Sequence, residues 1–160
     1  MQESSPKTML PFFQKNHELL SSSEKERILE VVRDLEQKTS GEIRIYIEGD
    51  CPSDDAMLRC RDLFDHLGMQ RTVERNAVLL YIATSDRKYA IFGDKGIYEK
   101  AGPEFWLEKG KSLSSHFGAG EYAKGIEACV REIGAALVRF FPPVSSNKNE
   151  LPDDIVFGKF

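Results

Sequence analysis

Residues 74–106, ERNAVLLYIATSDRKYAIFGDKGIYEKAGPEFW, decide the fold. Asn76 to Ala83 (NAVLLYIA) is almost continuously apolar, as a strand covered on both faces requires. Thr84-Ser85-Asp86-Arg87 makes a short polar turn, and KYAIFG returns as a second strand, giving a hairpin. The hairpin runs out in GDKG, Gly93 to Gly96, with Asp94 between glycines and Glu99 and Glu104 close behind. Such a turn either only reverses the chain or also holds acidic oxygens at a site. Which it does depends on what the rest of the chain brings beside it.

Upstream, Ser22 or Ser23 is expected to cap a helix, with Glu26 completing a capping box around Ser23. Ile28, Leu29, Val31, Val32 and Leu35 then recur at helical spacing until Thr39-Ser40-Gly41 stops the helix. Glu42 to Glu48 alternates: Ile43, Ile45 and Ile47 face one way, and Glu42, Arg44, Tyr46 and Glu48 the other, as in a strand. Ser53 to Leu67 begins with Ser-Asp-Asp, a good cap and first turn, and repeats Met57, Leu58, Leu63, Phe64 and Leu67. Downstream of the hairpin, helices are expected over Pro103 to about Phe117 and over Tyr122 to Phe141. A short helix is expected over Leu10 to Leu20.

The pattern therefore predicts one α/β domain with a small mixed central β-sheet flanked by helices on both faces, in the order ααβαββαα. Strand, crossover helix and second strand should form a right-handed parallel pair, and the hairpin returns a third strand antiparallel to the second. Residues 1–21 form an N-terminal segment with the short helix, 22–142 the domain, and 143–160 a mobile tail rich in prolines, serines and charges. The tail's last residues, IVFGKF, are apolar enough to dock on the domain itself or on a partner.

Composition narrows the function classes. A chain of 160 residues has room for one domain with a real core. A net charge of -4 and a pI near 5.5 argue against nucleic acid or an anionic membrane surface as the main partner. The N-terminus lacks the pattern of a secretory signal, and no stretch approaches the roughly 20 apolar residues of a membrane span. Cys51, Cys60 and Cys129 are odd in number and far apart, as reduced thiols in a cytoplasmic protein would be.

Topology gathers acidic residues at two ends of the sheet. If the first two strands are parallel, Glu42 and Asn76 lie where they begin, and Gly93 and Asp94 return to that end. Glu74, Glu99 and Glu104 can converge there. The opposite end collects Glu48, Asp50, Asp54, Asp55, Ser85 and Asp86. Calcium and magnesium need several hard oxygen ligands, which either end offers, though neither matches the EF-hand spacing. Asp54 and Asp55 are equally explained as first-turn carboxylates, and Asp86 as a hairpin turn residue.

The run Glu74 to Trp106 resembles the core of the TPM domain family, which includes thylakoid-lumen photosystem repair proteins, a receptor modulator and many bacterial proteins. Thr39 to Glu48 (TSGEIRIYIE) resembles the family's first strand, and Phe117 to Pro142 its closing helix. The resemblance implies a single α/β domain, an acidic pocket binding calcium or another divalent cation in some members, and acid phosphatase activity in some. It carries the asparagine of the usual Asp-Asn-Gly onto Asn76, the glycine-rich turn onto Gly93, Asp94 and Gly96, and a following acidic position onto Glu104 or Glu99. Arg75 stands where the family has an acidic residue, Ala77 where it has glycine, and Glu104 where an aspartate is usual.

Three functions compete. The first is a module binding a divalent cation, calcium or magnesium, through Asp94, Glu99, Glu104, Glu42 and Asn76. The second is a metal-dependent acid phosphatase, with Lys95 or Arg75 facing the phosphate; no P-loop, Cys-x5-Arg loop or DxDx[TV] motif accompanies it. The third is a metal-independent protein-interaction adaptor that recruits its partner through the tail or a surface groove.

Overall fold

The computed structural model describes residues 19–143 and 155–158. The helix expected over Leu10–Leu20 lies outside them except for its last two residues. The first described helix, α1 (Ser22–Glu36), is capped by Ser21. The Glu24 amide donates to Ser21 Oγ (3.1 Å) and the Ser21 amide donates to Glu24 Oε1 (2.8 Å), a reciprocal capping box. The box sits two residues ahead of the expected Ser23–Glu26 pair. Three consecutive serines give the sequence no way to choose, whereas burial of Leu20 fixes the point of chain entry.

Strand β1 (Glu42–Glu48), helix α2 (Ala56–His66), a single 3-10 turn (Met69–Arg71) and strand β2 (Ala77–Ala83) follow in order. β1 and β2 run parallel, with Glu42 opposite Ala77 and Glu48 opposite Ala83. Strand β3 (Lys88–Gly93) returns antiparallel to β2, Val78 opposite Gly93. The parallel pair and hairpin are those the sequence predicts. β2 is buried at every position, which accounts for its lack of alternation.

The sheet separates two apolar layers. Ile43, Ile45, Ile47, Val78, Leu80 and Ile82 pack with residues of α1 and of α5 (Tyr122–Phe140), including Ile28, Val32, Ile126, Val130 and Leu137. Leu79, Tyr81 and Ala83 face Cys60, Leu63 and Phe64 of α2, with Met69 beside them. Each fully buried aliphatic side chain contributes about 1.5–3 kcal/mol to the folded state. Helices thus cover both faces, in a single α/β domain.

Two elements depart from the expected order. GDKGIYEKAG folds as helix α3 (Lys95–Ala101), followed through Gly102 by α4 (Pro103–Gly118), so three helices rather than two follow the hairpin. Asp94 is the N-cap of α3, and Gly102 (φ 88°) ends it before Pro103 opens the next helix. The second departure is in the segment read as a mobile tail. Ile155–Phe157 forms a fourth strand, β4, parallel to β1, and completes a sheet of order β3-β2-β1-β4. Residues 144–154 and 159–160 of the tail lie outside the described residues.

Candidate functional site

The starts of β1 and β2 and the end of β3 meet at one end of the sheet, so the segments around residues 40–42, 72–77 and 93–97 are neighbours. The Asp94 amide donates to the Ala77 carbonyl (2.9 Å), and the Glu42 amide to the Asn76 carbonyl (3.4 Å). At Gly96 the first turn of α3 is pressed onto the preceding loop. Its amide donates to the Arg75 carbonyl (2.8 Å), and a Cβ there would lie 2.1 Å from the Glu74 carbonyl oxygen. At Gly93 a Cβ would lie 2.6 Å from the Trp106 ring. Both glycines of GDKG are therefore explained by close approach.

Asp94 is a buried acid of this end, its side chain 3 % exposed. Its carboxylate is fully engaged. Arg75 Nε donates to Oδ2 (2.6 Å), Arg75 Nη2 donates to Oδ1 (2.9 Å), and the Lys95 amide donates to Oδ1 (2.8 Å). This is a bidentate guanidinium–carboxylate pair combined with a helix cap. Arg75 reaches it from a left-handed backbone (φ 54°), and its hydrogen bonds to Asp94 raise its already high pKa. Arg75 thus places a fixed positive charge on Asp94.

Asn76 is held from two sides: its amide donates to Thr72 Oγ1 (3.1 Å) and its Nδ2 to Ser40 Oγ (3.1 Å). Ser40 Oγ donates onward to Glu74 Oε2 (3.2 Å). Asn76 Oδ1 is buried without a hydrogen-bond partner among the described residues. Glu42 is buried at the start of β1. Of the five residues expected to hold a cation, Glu42, Asn76 and Asp94 come to this end. Glu99 and Glu104 lie exposed, on α3 and on the first turn of α4. Among the described residues, no group of three or more His, Cys, Asp or Glu side chains is placed to hold a metal ion. The donor set as arranged does not fit a divalent ion, because the guanidinium already takes both oxygens of its central carboxylate.

At the opposite end the buried acid is paired internally. Glu48 accepts two hydrogen bonds from Arg59 (2.8 and 2.9 Å) and one from Tyr81 Oη (2.5 Å). Burial and the Glu48 hydrogen bond push the Tyr81 phenol well above its ordinary value. Asp55 Oδ1 accepts from the Met57 amide (2.9 Å) as the N-cap of α2, and Asp86 Oδ2 from the Cys51 amide (2.7 Å). Asp54 and Asp55 precede the first turn of α2, which holds no acid, so Asp55 acts as its cap, and Asp86 ties the hairpin turn to the β1–α2 loop. Burial pushes the thiols of Cys60 and Cys129 up to about 12, and Cys51 is half-buried. His116 Nδ1 lies 3.0 Å from Glu121 Oε1, His66 ends α2 exposed, and His17 lies outside the described residues.

Sequence reasoning did not foresee a groove of about 500 Å³ lined by Met57, Tyr89, Tyr98, Trp106 and Leu107, among others. Trp106 forms its floor, stacked on Tyr98 at 5.8 Å and donating Nε1 to the Tyr98 carbonyl (3.3 Å). Met57, Tyr98 and Leu107 are exposed around it, beside the edge strand β3. Only the unexpected α3 brings Tyr98 over Trp106, so a reading without that helix could not assemble the groove.

The TPM domain family model matches residues 13–136, which span β1 to β3, α1 to α4 and α5 as far as Ala136. The chain belongs to the TPM domain family. Among solved structures, the BA42 protein of the psychrophilic bacterium Bizionia argentinensis is 34 % identical, with a TM-score of 0.79 over 87 % of this chain and 95 % of that one. Two N-terminal domains share the fold at lower identity. One is from P. gingivalis (18 %, TM-score 0.64, 74 % of this chain and 76 % of that one). The other is from cg2496 of Corynebacterium glutamicum (15 %, TM-score 0.61, 90 % of each). No curated protein matches the sequence. Among the described residues of this TPM domain, no helix is long and apolar enough to cross a membrane.

Proposed function

We propose that this TPM domain is a metal-independent protein-interaction module of a reducing, cytoplasmic compartment. One observation carries the reading: Arg75 holds both oxygens of Asp94, the acid around which a cation site or a phosphatase centre at this end would be built. A divalent ion there would have to displace a bidentate guanidinium and would meet its positive charge. The aromatic groove over Trp106 is the surface offered to a partner, with apolar area exposed beside a strand edge that is unpaired among the described residues.

The test is a calcium titration of the full chain by calorimetry, with amide NMR spectra recorded alongside. The wild type should release no heat and keep the Asn76, Asp94 and Lys95 amides in place. A saturable response at those amides would overturn the proposal. Phosphomonoester turnover with added magnesium or calcium, if lost on Asp94→Asn, would overturn it in favour of the enzyme.

A second reading is uptake of a divalent cation, calcium or magnesium. It is favoured by the buried Asn76 Oδ1 and by Glu42 at the same end of the sheet. It requires Arg75 to leave Asp94, so Arg75→Asn should convert a silent titration into a saturable one.

A further inference from the structure

Among the described residues, three, Ile155–Phe157, pair with the outer edge of β1, and they join α5 through residues 142–154. Ile155 lies opposite Ile45 and is buried, Phe157 lies opposite Ile47, and the Gly158 amide donates to the Ile47 carbonyl (2.6 Å). A Cβ at Gly158 would lie 2.7 Å from Tyr46 Oη and 2.8 Å from Glu48 Cβ, so glycine is required where the tail crosses this edge. Lys25 Nζ sits 5.0 Å from the centre of the half-exposed Phe157 ring. The edge is thus a fitted acceptor for an Ile-Val-Phe-Gly strand.

The tether is longer than its path. The Ser40 amide donates to the Phe141 carbonyl (3.1 Å), which puts the end of α5 beside residue 40. From there to the level of Ile45 is five residues of strand, about 17 Å. Residues 142–154 supply 13 residues, enough to span roughly 45 Å when extended. The family match ends at residue 136, before the tether begins.

We propose that β4 is an exchangeable strand: the β1 edge accepts Ile155–Phe157 of a second copy of this chain in place of its own. Reciprocal exchange replaces two contacts within chains by two identical contacts between them, so contact energy cancels and protein concentration sets the balance. The short strand offers few bonds to break, and thirteen residues of chain are long enough to reach a neighbour. Tethering gives the strand an effective concentration on the order of millimolar, so exchanged dimer should become prominent in that range.

The experiment mixes isotope-labelled full-length chain with unlabelled full-length chain carrying a nitroxide at position 160 (Phe160→Cys in a Cys51→Ser background). Exchange brings the label of one chain beside β1 of the other. The Ile45 and Ile47 amides of the labelled chain should broaden increasingly as protein rises towards about 1 mM. Ile155→Asp in the nitroxide chain should weaken this broadening by about tenfold or more. Gly158→Val should have the same effect, by collision with Tyr46 and Glu48 and without burying a charge. Unbroadened β1 amides at every concentration would overturn the proposal, as would broadening that survives both substitutions. Broadening by the label centred on the Trp106 groove instead of β1 would overturn it too, in favour of tail docking there.

Discussion

Gly96→Ala tests whether the GDKG turn is shaped by close backbone approach. The added methyl would lie 2.1 Å from the Glu74 carbonyl oxygen and 2.7 Å from that of Arg75, and backbone oxygens cannot rotate away as a side-chain end can. The first turn of α3 must therefore lift off the 74–75 loop. That breaks the Gly96 and Ile97 hydrogen bonds to the Arg75 carbonyl (2.8 and 3.3 Å). Overpacking costs about 1–3 kcal/mol, and the two hydrogen bonds about 0.5–1.5 kcal/mol each. The better helix propensity of alanine returns about 1 kcal/mol. The net destabilisation is about 1–5 kcal/mol, or about 3–15 °C in Tm at roughly 3 °C per kcal/mol for a domain of this size. Gly110→Ala is the control: it lies within α4 with nothing within 4 Å of its Cβ, and should stabilise by about 0.5–1 kcal/mol. Chemical denaturation of the three proteins, followed by Trp106 fluorescence and far-UV circular dichroism, gives the comparison. A Gly96→Ala midpoint equal to the wild type's, with Gly110→Ala behaving as expected, would refute the reasoning.

Tyr81→Phe should cost about 1–2 kcal/mol below pH 9, since Glu48 loses one of its hydrogen bonds but keeps Arg59. The folded protein holds the Tyr81 phenol well above its unfolded value, so this stabilisation is complete below about pH 10 and is lost as pH rises beyond it. Denaturation midpoints across pH 8–11 should therefore fall more steeply for wild type than for Tyr81→Phe, and parallel curves would argue against a buried neutral phenol. In thiol titration with an aromatic disulfide at pH 8, Cys51 should react first. Cys60 and Cys129, pushed up to about 12 by burial, should react only on unfolding; fast reaction of all three in the native protein would contradict the core. Tyr98→Ala should leave stability within about 1 kcal/mol of wild type, because its ring is exposed, yet shift the Trp106 emission maximum by removing the stacked ring. An unchanged emission spectrum would mean that the stack does not form.

Most of the sheet was legible in the sequence because period-two and unbroken apolar runs have few alternative explanations. Ile43, Ile45 and Ile47 alternate because helices cover one face of β1, and Ala77–Ala83 does not alternate because both of its faces are covered. α3 was not legible. Gly96 carries a helix-breaking preference, and its overriding reason, the Glu74 and Arg75 carbonyls pressed against it, lies 22 and 21 residues upstream. The available signal was Asp94 as a cap, followed by seven residues and a Gly-Pro stop. β4 escaped for a different reason: three residues carry almost no periodicity, and their partner, Ile45–Ile47, is more than a hundred residues away.

The acidic end shows how residue type and residue role separate. A count of carboxylates near the glycine turn gives Glu42, Asp94, Glu99 and Glu104, with Asn76 as a neutral oxygen, which is a cation site on composition. Placement divides the set: α3 and α4 carry Glu99 and Glu104 into solvent, while strand register brings Glu42, Asn76 and Asp94 together. Arg75 then sets the charge, because its left-handed backbone aims the guanidinium back across the hairpin end onto Asp94. The arginine first stands out only as a departure from the family's acid; in the fold it is the counter-ion of Asp94. A buried carboxylate capping a helix and paired to an arginine holds together the loop before β2 and the start of α3. Removing that carboxylate should therefore loosen the segment around residues 74–97 and the Tyr98–Trp106 stack that follows it. Asp94→Asn should raise hydrogen exchange at the Gly96 and Ile97 amides at least as much as Arg75→Asn does, since it weakens both the ion pair and the cap. The reverse order would place the role of this end in Arg75 alone.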